Sequence, residues 1–233
     1  MRIKFILMLV PSMIALSNLA AASPDPRAVA ESKGVPASLA YGLIIDNTAP
    51  ARSCLETFIA TGRTFIEGNA PADQTFIVRY VNRDNVTLEQ GFTSKNKDLT
   101  DTLDDMYSQG GLADLLDAVY LSAEMVAEHE KTGKGMRENS ALVLLTTGAN
   151  VDSFYRLDQV QAKLREKHIR VYVIGFPKFL ESPDGKAETA AVELCKQLAA
   201  DGRAYFPSSE TEAKQAAREI LGQMHAQTAG AQK

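Results

Sequence analysis

The sequence predicts an α/β domain: a doubly wound, mostly parallel central sheet with one antiparallel edge strand and helices on both faces. Three observations carry that expectation. Short apolar runs alternate with segments whose apolar residues fall at helical spacing, the order that builds a parallel sheet between two helical layers. The run ALVLLT at 141–146 is apolar almost throughout, as a strand buried on both sides must be. One pair of strand-like runs is joined by only a few residues around Asp84-Asn85. That link is a turn, too short for the crossover a parallel pair needs.

Each element follows in order. Residues 39–45 form a continuous apolar strand that ends at Asp46. Leu55, Phe58, Ile59, Phe65 and Ile66 then recur at helical spacing. Residues 75–81 (TFIVRYV) are β-branched and aromatic, a second strand. Residues 86–93 (VTLEQGFT) alternate less cleanly and form the antiparallel edge. Leu112, Leu115, Leu116, Val119 and Tyr120 mark the next helix, followed by the strand at 141–146. Leu157, Val160 and Leu164 mark a helix ending near Lys167-His168, and residues 170–176 (RVYVIGF) return as a strand. Val192, Cys195 and Leu198 mark a helix closed by Asp201-Gly202, and residues 203–206 are a short last strand. Ser209 and Glu212 have capping-box spacing before a final helix with apolar positions Ala213, Ala217, Ile220 and Met224.

The N-terminus differs in kind from the rest. Arg2 and Lys4 precede a short apolar core at 5–16, and Ala20-Ala21-Ala22 supplies a small-residue cleavage signature. The core is shorter than the ~20 residues of a membrane-spanning helix. Residues 1–22 therefore read as a signal peptide, 23–36 as a linker, 37–225 as the domain and 226–233 as a disordered tail. The expected location is periplasmic or secreted, with no integral membrane segment after cleavage. The net charge of −4 and the scattered Lys and Arg residues give no basic stripe for nucleic acid. His129, His168 and His225 fall at the expected helix ends, where a cation complements the helix dipole.

In such sheets ligands bind beyond the carboxyl ends of the strands, where the winding reverses. The loops to inspect are residues 46–50, 110–113 and 146–150. The segments YGLIIDNTAP, TFIVRYVNRD, GGLADLLDAVYLSAE, ALVLLTTGAN and VYVIGF, in this order, resemble a Rossmann-like von Willebrand factor type A domain. They are most similar to the acidobacterial-type related domain of exported bacterial proteins, over roughly residues 37–225.

The resemblance implies a metal ion-dependent adhesion site at these loops, with the pattern Asp-x-Ser-x-Ser, a loop Thr and a later Asp. Asp46 matches the first Asp, and Thr48 keeps the hydroxyl of the first Ser. Pro50 stands at the second Ser, Ala113 or Leu112 at the loop Thr, and Thr147 at the last Asp. One carboxylate and one hydroxyl remain where a hard cation wants several oxygen ligands. No cofactor and no working metal site are therefore expected, Asp46 and Thr48 being vestigial positions. A bonded structural role, with Thr48 or Thr147 donating to Asp46, is the favoured reading. Asp117 is expected to hold local loops. The alternative is a weakly held Mg²⁺ on Asp46 and Thr48.

LIIDNT followed by LLTTG is also similar to haloacid dehalogenase-like phosphatases, in which the first Asp is a nucleophile. The second acid expected two residues later is Thr48, and no paired acids follow VYVIGF, so that chemistry lacks its partners. The pair Gly110-Gly111 lacks the spacing of a dinucleotide loop. No catalytic residue is expected. The domain reads as a binding module for another protein, with Asp46, Asn47, Thr48, Gly111, Thr147 and Asn150 as candidates for its binding surface. The N-terminal pattern makes its own prediction: N-terminal sequencing of the exported protein begins at Ser23, and an intact Met1 in a cytoplasmic fraction overturns it.

Overall fold

The central strand of the sheet is β1 (Ala40–Asp46), whose seven residues are all buried. The computed structural model describes residues 38–132, 140–180 and 182–230; the signal peptide and linker assigned to residues 1–36 lie outside it. After β1 come α1 (Leu55–Glu67), β2 (Gln74–Tyr80), β3 (Val86–Thr93), α2 (Asn96–Asp104), α3 (Leu115–Lys131) and β4 (Ser140–Thr146). The chain closes with α4 (Leu157–Glu166), β5 (Arg170–Gly175), α5 (Lys186–Leu198), β6 (Ala204–Tyr205) and α6 (Glu210–Gly230).

The strand order is β3-β2-β1-β4-β5-β6. Every pairing is parallel except β2 with β3. This is the doubly wound sheet with one antiparallel edge that the sequence predicts. Winding reverses at β1, so the crevice between the carboxyl ends of β1 and β4 is the switch point. Register fixes what stands there: Asp46 lies opposite Tyr80, and Ile45 opposite Leu145.

Alternation along β1 divides the core in two. Tyr41, Leu43 and Ile45 pack with α1, α2 and α6, while Ile44 packs with α3, α4 and α5. α2 escapes the sequence reading. It has nine residues, of which only Leu99 and Leu103 are buried, and two apolar positions one turn apart make a weak periodic signal. α3 begins three residues later than Leu112 suggests, and Leu112 is left exposed on the preceding loop.

α4 ends at a left-handed residue, His168, with φ of 53°. His129 lies in the last turn of α3, also as expected. His225 does not lie at a helix end: it sits inside α6 and bonds through Nε2 to Asp73 Oδ2 at 2.7 Å. α6 also runs through most of the segment read as a tail. Thr228 is buried and donates to the Met224 carbonyl at 2.8 Å, and Gln227 accepts from Arg170 and the Tyr172 hydroxyl. These contacts hold the last turns on β5. At the start of α6, Ser209 Oγ accepts from the Glu212 N–H at 3.3 Å, but Glu212 reaches back to Ser208 rather than Ser209. The capping box is thus displaced by one residue on one side.

Cys54 and Cys195 belong to different cores, on opposite faces of the sheet. The sheet keeps them from the Cα separation a disulfide needs. Burial pushes both thiols up to about 12, and the negative charge of Asp46 adds to the effect. The folded chain therefore keeps thiol protons that the unfolded chain releases from about pH 9. Stability contributed by the neutral thiols is fully present below about pH 9 and is lost as pH rises towards 12. The urea midpoint should fall between about pH 8 and about pH 10.5, and iodoacetamide at about pH 8 should label both cysteines only in the unfolded chain. A Cys54–Cys195 cross-linked peptide in unreduced mass spectra contradicts the placement.

Candidate functional site

A carboxylate taken out of water must be given donors. Asp46, fully buried at the end of β1, receives five. Its Oδ1 accepts from the Thr48 N–H at 3.0 Å and the Thr48 hydroxyl at 2.7 Å. Its Oδ2 accepts from the Thr146 hydroxyl at 3.1 Å, the Thr147 N–H at 2.9 Å and the Thr147 hydroxyl at 2.9 Å. Thr146 has one hydroxyl proton and gives it to Asp46. Its oxygen then accepts from the Gly148 N–H and from the Tyr80 hydroxyl, each at 2.8 Å. Burial, and next the charge of Asp46, hold the Tyr80 phenol well above its ordinary range, so it stays a donor. Gly148 has φ of +81°, and a Cβ there would stand 3.0 Å from Cys195 Sγ. Only glycine lets the loop after β4 turn back under Asp46 at that place.

The neighbouring loops are tied by the same device. Asn47 donates through Nδ2 to the Tyr107 carbonyl at 2.8 Å and accepts from the Gln109 N–H at 3.1 Å. Asp114 accepts from the Arg83 and Asp152 N–H groups, and Asp117 from those of Phe154 and Tyr155. Asn150 Oδ1 accepts from the Leu116 N–H at 3.0 Å and the Ser153 hydroxyl at 2.6 Å. The Gly111 carbonyl accepts from the Ala49 N–H at 3.1 Å. Four loops are therefore fixed to one another by buried polar side chains and short main-chain contacts.

Burial revises the list of surface candidates. Asp46, Asn47, Thr48 and Thr147 are at most 1% exposed, so they support the loop surface and do not form it. Asn150 is half-buried and works as a cap on α3. Gly111 alone of the six is exposed. What does reach solvent is apolar. Tyr107, Leu112, Val151 and Phe154 are 60–68% exposed, and Phe179 36%. All five stand on loops at the carboxyl edge of the sheet. Among the described residues, the one other large apolar side chain so exposed is Leu88 on β3. The Arg83 guanidinium lies 4.3 Å over the Phe154 ring, and Phe154 meets Tyr155 edge-on at 5.1 Å. The sequence does carry a signal for these residues: Leu112 follows two glycines, and Val151 and Phe154 interrupt a run of Asn, Asp and Ser.

The oxygen inventory bears on a cation. Asp46 uses both oxygens on internal donors, Pro50 has no side-chain oxygen, and Ala113 is buried with a methyl group. Asp114 and Asp117 are engaged with main-chain N–H groups. Among the described residues no three His, Cys, Asp or Glu side chains converge as a metal-binding group. The donor set does not suit a hard divalent ion, which wants near-octahedral oxygen ligands with carboxylate charge.

A doubly wound sheet with a strand-end acid at its switch point, bonded to the loops around it, defines an α/β domain of the Rossmann-like class. The chain belongs to the von Willebrand factor type A domain family, whose model matches residues 47–220. Two solved structures share the fold. One is an aerotolerance-related membrane protein from Bacteroides fragilis carrying multiple mutations to serines, 16% identical with a TM-score of 0.59, covering 80% of this chain and 100% of that one. The other is the conserved hypothetical protein BatB from Bacteroides thetaiotaomicron, 15% identical with a TM-score of 0.62, covering 81% and 100%. No curated protein matches the chain.

The carboxylate network predicts two unequal mutational effects. Thr147→Val removes one of five donors and should cost about 1 kcal/mol. Asp46→Asn should cost more, about 3 kcal/mol. Whichever way its amide turns, the NH₂ group meets a main-chain N–H, of Thr48 or of Thr147, and neither can reverse as a hydroxyl can. Urea unfolding of both variants measures the difference; equal costs would show that the carboxylate is not the organising group.

Proposed function

We propose that this is an exported adhesion- or scaffold-type module that binds another protein through the loops at the carboxyl edge of its sheet, without a divalent cation and without catalysis. The observation that carries this reading is the placement of Tyr107, Leu112, Val151, Phe154 and Phe179 on that one edge, exposed and on loops tied to a rigid sheet. Apolar and aromatic side chains held out in water, with their backbone already fixed, suit a protein partner: burial is favourable and little ordering remains to be done. The family's interaction modules are consistent with it.

Metal independence is supported by the donor inventory, since Asp46 has no free lone pair facing solvent. The same burial weighs against the phosphatase reading, which needs Asp46 open to a phosphoryl group. Export is supported by the N-terminal sequence pattern, and among the described residues no helix is long and apolar enough to cross a membrane.

The test is capture from periplasmic extract by the purified protein, with and without EDTA, and by the double variant Leu112→Asp, Phe154→Asp. The captured protein should be unaffected by EDTA and lost with the double variant, whose thermal unfolding should match the native chain. Calorimetric binding of Mg²⁺ or Mn²⁺ at micromolar concentration, abolished by Asp46→Ala in a still-folded chain, would show that the site holds a metal.

A further inference from the structure

Between the turn at Pro50–Ser53 and helix α5 lies a groove of about 920 Å³. That is at the upper end of the ~300–1,000 Å³ typical of ligand sites, room for several side chains. Its walls are mainly apolar: α5 contributes Ala190, Ala191 and Leu194, and the loops contribute Val151, Phe179 and Leu180, with Ser53 and Asn150 as polar neighbours. Val151 and Phe179 also belong to the exposed edge, so the groove opens directly from it. One lining residue is charged, Arg52. It is exposed, and no carboxylate among the described residues pairs with it. Its Nη2 stands 3.5 Å from the place a Cβ on Gly110 would take, so the guanidinium reaches the loop that carries Leu112.

An isolated cation on an apolar groove selects for an anion with apolar neighbours. A planar guanidinium matches a carboxylate with two parallel hydrogen bonds. The turn that carries it offers little more. The N–H groups of Ala49, Ala51 and Arg52 are already given to Gly111, Thr48 and Ala49, and Pro50 has none. A chain-terminal carboxylate is held by spare N–H groups of this kind, so the arrangement favours a side-chain carboxylate. The apolar start of this chain does not match: residues 1–22 contain Arg2 and Lys4 but no acid.

We infer that the groove takes a segment of a partner protein in which an aspartate or glutamate side chain, seated on Arg52, is flanked by apolar residues that pack against α5. This rests on the reading that the loop edge binds protein, and it names the chemistry of the partner. Arg52 then supplies the positive charge at a place where the chain keeps few oxygen ligands for a cation.

The probe is a displayed library of random peptides fused at their C-termini, so that no free terminal carboxylate is present. The native chain should enrich peptides with Asp or Glu among apolar residues, and Arg52→Glu should shift enrichment to Lys or Arg. A selected peptide, synthesised with blocked ends, should lose about tenfold in affinity on Arg52→Gln. It should lose as much when its own acid is made the amide, with little further loss when both changes are combined. Ala190→Trp, which fills the groove, should abolish binding while thermal unfolding stays native. Absence of enrichment, or peptides that lack an acid and ignore Arg52→Gln, overturns the inference. If such acid-free peptides are still lost with Leu112→Asp, Phe154→Asp, the loop-edge reading stands and only the groove assignment falls. If they ignore that variant too, both fall.

Discussion

The organising constraint is the cost of burying one carboxylate. Asp46 is fully enclosed at the end of the central strand, and a charge there is tolerable only if donors surround it. The donors come from two loops that follow adjacent parallel strands, Thr48 on one and Thr146 with Thr147 on the other. Satisfying the acid therefore fixes both loops to each other. Tyr80, from the third strand of the trio, completes the arrangement through the Thr146 hydroxyl. The positions of Asn47 and Gly148 follow from that closure, and through Asn47 the loop around Tyr107 is held as well. The buried polar groups act as fasteners, and the apolar groups they hold outward are the ones available to a partner.

Much of this was legible in the sequence because it depends on period and order. The six strands, the central place of the first and the antiparallel edge follow from alternation, apolar runs and one short turn. So does the pairing of Asp46 with Thr48 and Thr147, since a strand-end acid can reach the hydroxyls of its own and the adjacent strand's loop. The remainder depends on facts that sequence spacing does not carry. Tyr80 joins the network by register, lying opposite Asp46 across the β1–β2 pair. α2 has too few apolar positions to mark it as a helix. The loop residues Asn47 and Thr147 look like surface groups because they are polar, and their burial comes from the closure of the loops over them. Conversely, Leu112 reads as part of a helix stripe and is instead exposed before the helix begins.

Similarity to the two solved structures is confined to the fold, at 15–16% identity. The sheet, its winding and the position of its switch point are shared with a family; at the places where the resemblance implied ligands, this chain carries Pro50, Ala113 and Thr147. Function in such a scaffold resides in which side chains the loops present. Here the loops present aromatic and aliphatic groups, with the guanidinium of Arg83 on Phe154 and that of Arg52 beside the groove.

The two ends of the sheet have a further consequence for how copies of this protein behave at high concentration. β6 is two residues long, so that border offers almost no main-chain hydrogen-bonding groups to a neighbour. β3, at the other border, pairs with β2 through two register irregularities and carries Glu89 in an ion pair with Arg79. Short, kinked and charged borders are poor templates for a strand from another molecule. Sheet-to-sheet growth, and with it ordered fibrillar association, is disfavoured at both sides by construction, despite an apolar content of 45%.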